Sequence, residues 1–344
     1  MITFNFKIAC AAVLVSGLTG SAFAQNIVEG PNVTWNVSLW GSPRAFTQPA
    51  EDFRELLSER TEGRFDFKLY YGAQLSAPRE NLDGLQVGAF EAAYYSSAFS
   101  PDRNPLAMGL DLPFLPIPDL ETRKRVVEAY MNHPAAQAEW ERLGVKWLYG
   151  VLAPQFEFMG AGEPPLTLED WKGKRVRALA GLAEAMNALG ATSVSLSPTE
   201  VYTSLERGVI DAASFPFSYA HGSYGLHEVS NWYTSNLNPG VNHAFIFASQ
   251  SAWDELPDQY KELFLEVKDA VYARNITAMK EADEKWLPIF AEAGIEPVVY
   301  PEEEIQRWVD TVAKPVWAAW VEEQEAAGRP SKELLELILD EAPR

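Results

Sequence analysis

Cysteine is nearly missing from this chain. The single one, Cys10, stands near the start of 344 residues, so neither a disulfide framework nor a cysteine-ligated zinc site can be built. Histidine is scarce as well. His133, His221, His227 and His243 show no H-E-x-x-H spacing and read as surface or hydrogen-bonded core residues. Basic residues are outnumbered, 28 Lys and Arg against 48 Asp and Glu, and the net charge of −20 argues against nucleic acid and anionic membranes as partners. An anionic ligand would therefore be held by a local site rather than drawn in by the overall field.

The marks of an enzyme are mostly absent too. Gly222-Ser223-Tyr224-Gly225 is one residue short of a nucleophile elbow. Gly173-Lys174 runs into Arg175 without the upstream glycine of a P-loop. Acidic residues are many, but spacing singles out no catalytic pair. Long apolar runs are lacking apart from Ile8 to Leu18, which follows Lys7 and precedes Ala22-Phe23-Ala24. That pattern is a secretory signal peptide over 1–24, cleaved before Gln25. Cys10 does not follow the apolar run, as a lipid anchor would require. No later run approaches the ~20 apolar residues of a membrane helix, so no stable membrane insertion is expected.

What is present is regular alternation. Thr34–Leu39, Phe65–Tyr70 and Glu91–Tyr95 read as strands, with helical stripes between them. From Lys172 to Ser218 the layout recurs: strand Arg175–Ala180, helix Leu182–Leu189, strand Ser193–Leu196, a helix closed by Gly208, and strand Val209–Phe215. Ser197-Pro198-Thr199-Glu200 is a capping box with proline at the first helical position. Strands are also expected at Lys146–Val151, Asn242–Ala248 and Ile295–Tyr300. Helices are expected from Asp258 to about Ala293, interrupted near Pro288, and from Pro301 to Ala327. Such alternation implies open α/β sheets with ligand loops at the strand ends, and the length suggests about two domains.

Two features of the central stretch bear on chemistry. Arg175 and Arg177 share one strand face, with Arg177 nearer the carboxyl end, where open α/β sheets place ligands. Spacing alone leaves a solvated basic strand end and an anion site equally open. Phe215 and Phe217 bracket Pro216 at another strand end, as core packing or as a ligand wall.

Several ordered motifs resemble one family, the solute-binding proteins of tripartite ATP-independent periplasmic (TRAP) transporters. Lys172-Gly173-Lys174-Arg175-Val176-Arg177 is similar to the family's K-G-x-K-I-R, and Leu189-Gly190-Ala191 to its L-G-A. The run Pro198 to Asp211 resembles its P-x-S-E-V-Y-x-A-L-x-x-G-V-V-D. Tyr71 to Leu75 with Arg79-Glu80, and Asp111-Leu112-Pro113-Phe114, match two further motifs. The resemblance implies two α/β domains, 25–152 plus 242–281 and 153–241 plus 282–344. Hinge strands and a long spanning helix would join them, with a ligand cleft between. It implies a monomer in the periplasm, delivering a small organic acid to the membrane subunits of a transporter.

In that family the arginine of K-I-R holds the ligand's carboxylate, which here is Arg177. The asparagine that assists it is replaced by Phe215. The second arginine of sialic-acid binders is replaced by Glu157, so sialic acid is not expected and a multiply charged dicarboxylate is disfavoured. Ser214 stands where some members carry a metal-binding acid, so no metal and no cofactor are expected. Phe217, Trp40 and Tyr95 are further candidate walls, favouring an aromatic or apolar acid. If Glu157 faced the cleft, a zwitterion in an aromatic cage would become the alternative. The rival reading of the whole chain is a secreted two-domain α/β enzyme, a lyase or isomerase acting on a carboxylate.

Overall fold

The computed structural model describes residues 26–342; the segment 1–24 expected to be a signal peptide, with Cys10, lies outside the described residues. The strands, in chain order, are Val33–Ser38 (β1), Phe65–Tyr70 (β2), Ala92–Ser96 (β3), Val145–Val151 (β4), Phe156–Gly160 (β5) and Arg175–Arg177 (β6). Thr192–Val194 (β7), Ala212–Pro216 (β8), Trp232–Thr234 (β9), Ala244–Ser249 (β10) and Glu296–Val298 (β11) follow.

They form two sheets. The first has the order β2-β1-β3-β10-β4 and the second β11-β9-β5-β8-β6-β7. In each, parallel β-α-β units make one side: β1 pairs parallel with β2 and β3, and β6 with β7 and β8. The remaining pairs at the centre run antiparallel, β10 with β3 and β4, β5 with β8 and β9. Central strands are buried on both faces. Ala92–Ser96 and Ala244–Ser249 have no exposed position, which is why they read as apolar runs rather than as alternation.

The chain crosses between the lobes at 152–155 and again at 235–243. The two crossings are tied where the Phe156 N–H donates to the Gly240 carbonyl at 2.7 Å. Helix Asp258–Glu292 makes a third connection. Its first half packs on helix Gln48–Arg60 of the first lobe. Its far end carries Asp283, which accepts from the Ser218 hydroxyl at 2.7 Å, and Phe290, which packs on Tyr233. The helix runs through Pro288 instead of breaking there. Proline removes one backbone donor, but buried Ala282 and Phe290 on either side keep that face packed.

The motif Asp111-Leu112-Pro113-Phe114 is wedged at the junction. Leu112 joins the larger core cluster, which runs from the first lobe into the second, and Phe114 joins the cluster of the second lobe, while the Phe114 N–H donates to the Pro239 carbonyl at 3.2 Å. Asp111 is buried and accepts from the His243 N–H at 2.7 Å and from Ser97 Oγ at 2.9 Å, fixing the second crossing.

Several boundaries differ from expectation. β6 stops at Arg177 because helix Ala180–Ala188 starts three residues beyond it. β8 starts at Ala212: Val209 is exposed, and the Asp211 carboxylate is drawn to the Arg175 backbone and guanidinium. The expected helix Pro301–Ala327 is Glu302–Trp308, a π turn Val309–Ala313, and helix Lys314–Ala326. The C-terminal helix Ser331–Glu341 packs on helix Leu120–Met131 of the first lobe, so 282–344 does not all accompany the second sheet. The capping box is as read: the Ser197 N–H donates to Glu200 Oε2 at 2.9 Å.

Candidate functional site

The carboxyl ends of β1, β3, β6 and β8 converge on one cavity between the lobes, of about 60 Å3. Its walls are largely aromatic. Trp40, Phe46 and Phe99 come from the first lobe, and Phe215, Tyr219 and Tyr224 from the second. The rings form a continuous lining: Trp40 lies 5.2 Å from Phe46, Phe46 stacks on Tyr219 across the lobes, and Phe215 stacks on Tyr224 at 5.3 Å.

Arg177 enters this lining from the end of β6. It is 3% exposed. Its Nη1 donates to the Ser214 carbonyl at 2.7 Å, its Nε to the Leu196 carbonyl at 3.4 Å, and its guanidinium carbon lies 4.4 Å from the Phe215 ring centre. Burial lowers its pKa to about 10; nearby Tyr224 pulls the other way, and the positive charge of Arg79 adds to the lowering. Among the described residues no carboxylate pairs with it. A buried cation with no counter-ion is costly, and an anion brought in beside it removes that cost. Arg175 differs in every respect. It is exposed and paired with Asp211 at 2.5 Å, a surface bridge.

The cavity also contains donors that sequence reasoning missed. Arg44, in the loop after β1, gives Nη1 to the Trp40 and Ser42 carbonyls and Nη2 to the Tyr224 hydroxyl at 3.1 Å. Its Nε is buried with no acceptor within reach, and so is Asn242 Nδ2 on the second crossing. The one signal for Arg44 was its place in Trp40-Gly41-Ser42-Pro43-Arg44, just past the carboxyl end of a strand. The site therefore offers more donors than acceptors inside an aromatic wall.

Of the residues read from sequence, Arg177, Phe215 and Trp40 share this cavity, and the other three do not. Tyr95 is turned into the first lobe's core, against Phe99, Trp140 and Phe247, because β3 is buried on both faces. Phe217 lies beyond the end of β8, stacks on Tyr233, and lines a separate cavity of about 340 Å3 behind the crossings. Glu157 lines that rear cavity as well, since the pleat of β5 sends Phe156 to the cleft and Glu157 away from it. Its carboxylate accepts from the Thr234 hydroxyl and from the Asn238 N–H at 2.9 Å. Burial raises its pKa to about 7. The zwitterion alternative, which needed Glu157 in the cleft, loses its basis. Among the described residues no cluster of three or more His, Cys, Asp or Glu could hold a metal ion, and no helix is long and apolar enough to cross a membrane.

Comparison with known proteins agrees with this architecture. The model of the family of bacterial extracellular solute-binding proteins, family 7, matches residues 38–324. The C4-dicarboxylate-binding periplasmic protein DctP of Rhodobacter capsulatus is 28% identical over 264 residues, 71% of this chain and 73% of its own. The ectoine-binding periplasmic protein TeaA of Halomonas elongata is 27% identical over 278 residues, 78% of each chain. In fold, the chain is similar to the solved ectoine-binding protein of the TeaABC TRAP transporter from Halomonas elongata. There the TM-score is 0.80 at 22% identity, over 90% of this chain and 99% of that one. The chain belongs to family 7 of the bacterial extracellular solute-binding proteins, the solute-binding proteins of TRAP transporters.

Proposed function

We propose that this protein binds a small organic acid in the periplasm, as a monomer, and delivers it to the membrane subunits of a TRAP transporter. The observation that carries the reading is Arg177: a guanidinium 3% exposed, between two lobes, with no carboxylate partner among the described residues. A carboxylate enclosed there loses its water, and the free guanidinium edge supplies parallel donors matched to its two oxygens. The Phe215, Trp40 and Tyr224 rings take the ligand's apolar body. Ligand contacts from both lobes favour the closed arrangement, and closure about the two crossings is what the membrane partner would recognise.

The family is one of binding proteins, and the cavity is built for holding rather than for proton transfer. Glu157, whose pKa burial raises to about 7, lies behind the cleft. The test is a thermal-shift screen across aromatic acids, oxo acids, dicarboxylates, sulfonates and betaines, followed by recovery of each hit. At least one acid should raise the melting temperature and return unchanged. A screen in which no acid stabilises the protein, or in which a stabilising acid is converted, would overturn the reading.

A further inference from the structure

We propose that Arg44 is a second anchor for the ligand, contributed by the lobe opposite Arg177, and that the ligand is an acid with a second oxyanion or carbonyl end. This rests on the acid-binding reading of the same cavity and adds a second contact point to it.

Arg44 is seated, not loose. Two of its donors hold the Trp40 and Ser42 carbonyls at 3.0 and 2.8 Å, and Phe46 and Tyr224 flank the guanidinium with ring centres 5.1 and 5.4 Å away. Gly41 has φ +71, and a Cβ there would come 2.2 Å from Arg44 Nη1, so the loop is shaped around the guanidinium. What remains is the edge formed by Nε and the second Nη2 hydrogen, the edge that forks a carboxylate. Nε is buried with no acceptor, in a side chain that lines the cavity.

Two guanidinium groups thus enter one aromatic cavity from opposite walls, and neither forms an ion pair among the described residues. Tyr224 links them. It accepts from Arg44 and stacks on Phe215, which in turn lies under Arg177. A monocarboxylate with a hydrocarbon tail would satisfy Arg177 and leave the Arg44 edge and Asn242 Nδ2 desolvated and unpaired. An acid with acceptors at both ends and an apolar middle satisfies both walls, with its middle on the rings. Glu157 occupying the second-arginine place in the second lobe therefore does not exclude a doubly acidic ligand, because the second positive charge comes from the first lobe.

The test uses matched pairs that differ only in the second end: propionate and malonate, butyrate and succinate, valerate and glutarate, benzoate and terephthalate. Calorimetry on the mature protein should show at least one two-ended acid binding about 10- to 100-fold tighter than its one-ended partner. Arg44→Gln should shrink that ratio to within about threefold, the two-ended acid losing more affinity than its one-ended partner. Arg44→Lys, which keeps charge but not the fork, should fall between. One-ended acids binding as tightly as their partners would overturn the inference and leave acid binding intact. So would an Arg44→Gln loss equal for both members of a pair, which would make the residue a structural brace. If no member of any pair binds to the wild type, the acid-binding reading itself falls.

Discussion

Glu157 makes stability depend on pH in a direction opposite to most carboxylates. It is 2% exposed, has no cationic partner among the described residues, and holds Thr234 and Asn238 at the entry to the second crossing. Burial raises its pKa from 4.5 to about 7, against the lowering effect of those hydrogen bonds. The folded state thus binds the proton more tightly than the unfolded chain. This group's contribution is fully present below pH 4.5 and is lost as pH rises through about 7. At 1.4 kcal/mol per pH unit, the loss across that window is about 3 kcal/mol. His221, held neutral by burial with its pKa pushed down to about 3, works the other way and loses stability as pH falls below 6.5. The comparison with Glu157→Gln removes such background effects. Urea unfolding of both proteins at pH 4.5 and 7.5 should show the wild type losing about 3 kcal/mol more than the variant over the interval. Parallel profiles would show that the carboxyl group is ionised at no cost, and that its burial does not control it.

Two other substitutions follow from the packing. Gly222→Ala should destabilise by about 1–3 kcal/mol in denaturant titration, because a Cβ there would come 2.0 Å from the Trp286 ring on the spanning helix. Phe215→Leu keeps an apolar side chain but removes the ring 4.4 Å from the Arg177 guanidinium carbon. Calorimetry with the best acid of the screen should show affinity falling by about tenfold.

Much of the layout was legible because its signals are local. The alternation of strands and helices, the capping box at Ser197 and Glu200, and the position of Arg177 near a strand's carboxyl end depend on neighbours in sequence. The cavity was only half legible because its other half is assembled at long range. Arg44 and Tyr224 are far apart in sequence and meet only when the lobes face each other. Tyr95 illustrates a different limit. In a strand buried on both faces, alternation separates Tyr94 from Tyr95 but does not say which face meets the cleft, and it is Tyr94 that packs on Trp40 and Phe46. For Glu157 the pleat placed Phe156 and Glu157 on opposite faces, and only the sheet's position decided which one meets Arg177. β9, three residues long, and the helix Ser331–Glu341, which returns to the first lobe, were not foreseen.

The most direct test of the account is calorimetry on Arg177→Ala, with Arg175→Ala beside it and the best acid of the screen as titrant. Arg177 is buried and lacks a carboxylate partner among the described residues, whereas Arg175 is exposed and already paired with Asp211. Removing one partner of a buried, hydrogen-bonded charge pair costs about 2–5 kcal/mol, roughly 30-fold to several-thousand-fold in affinity. Arg177→Ala should therefore lose most or all binding while keeping a cooperative unfolding transition, and Arg175→Ala should bind within about threefold of wild type. Full-strength binding by Arg177→Ala, or a loss confined to Arg175→Ala, would contradict the assignment of this cleft as the ligand site.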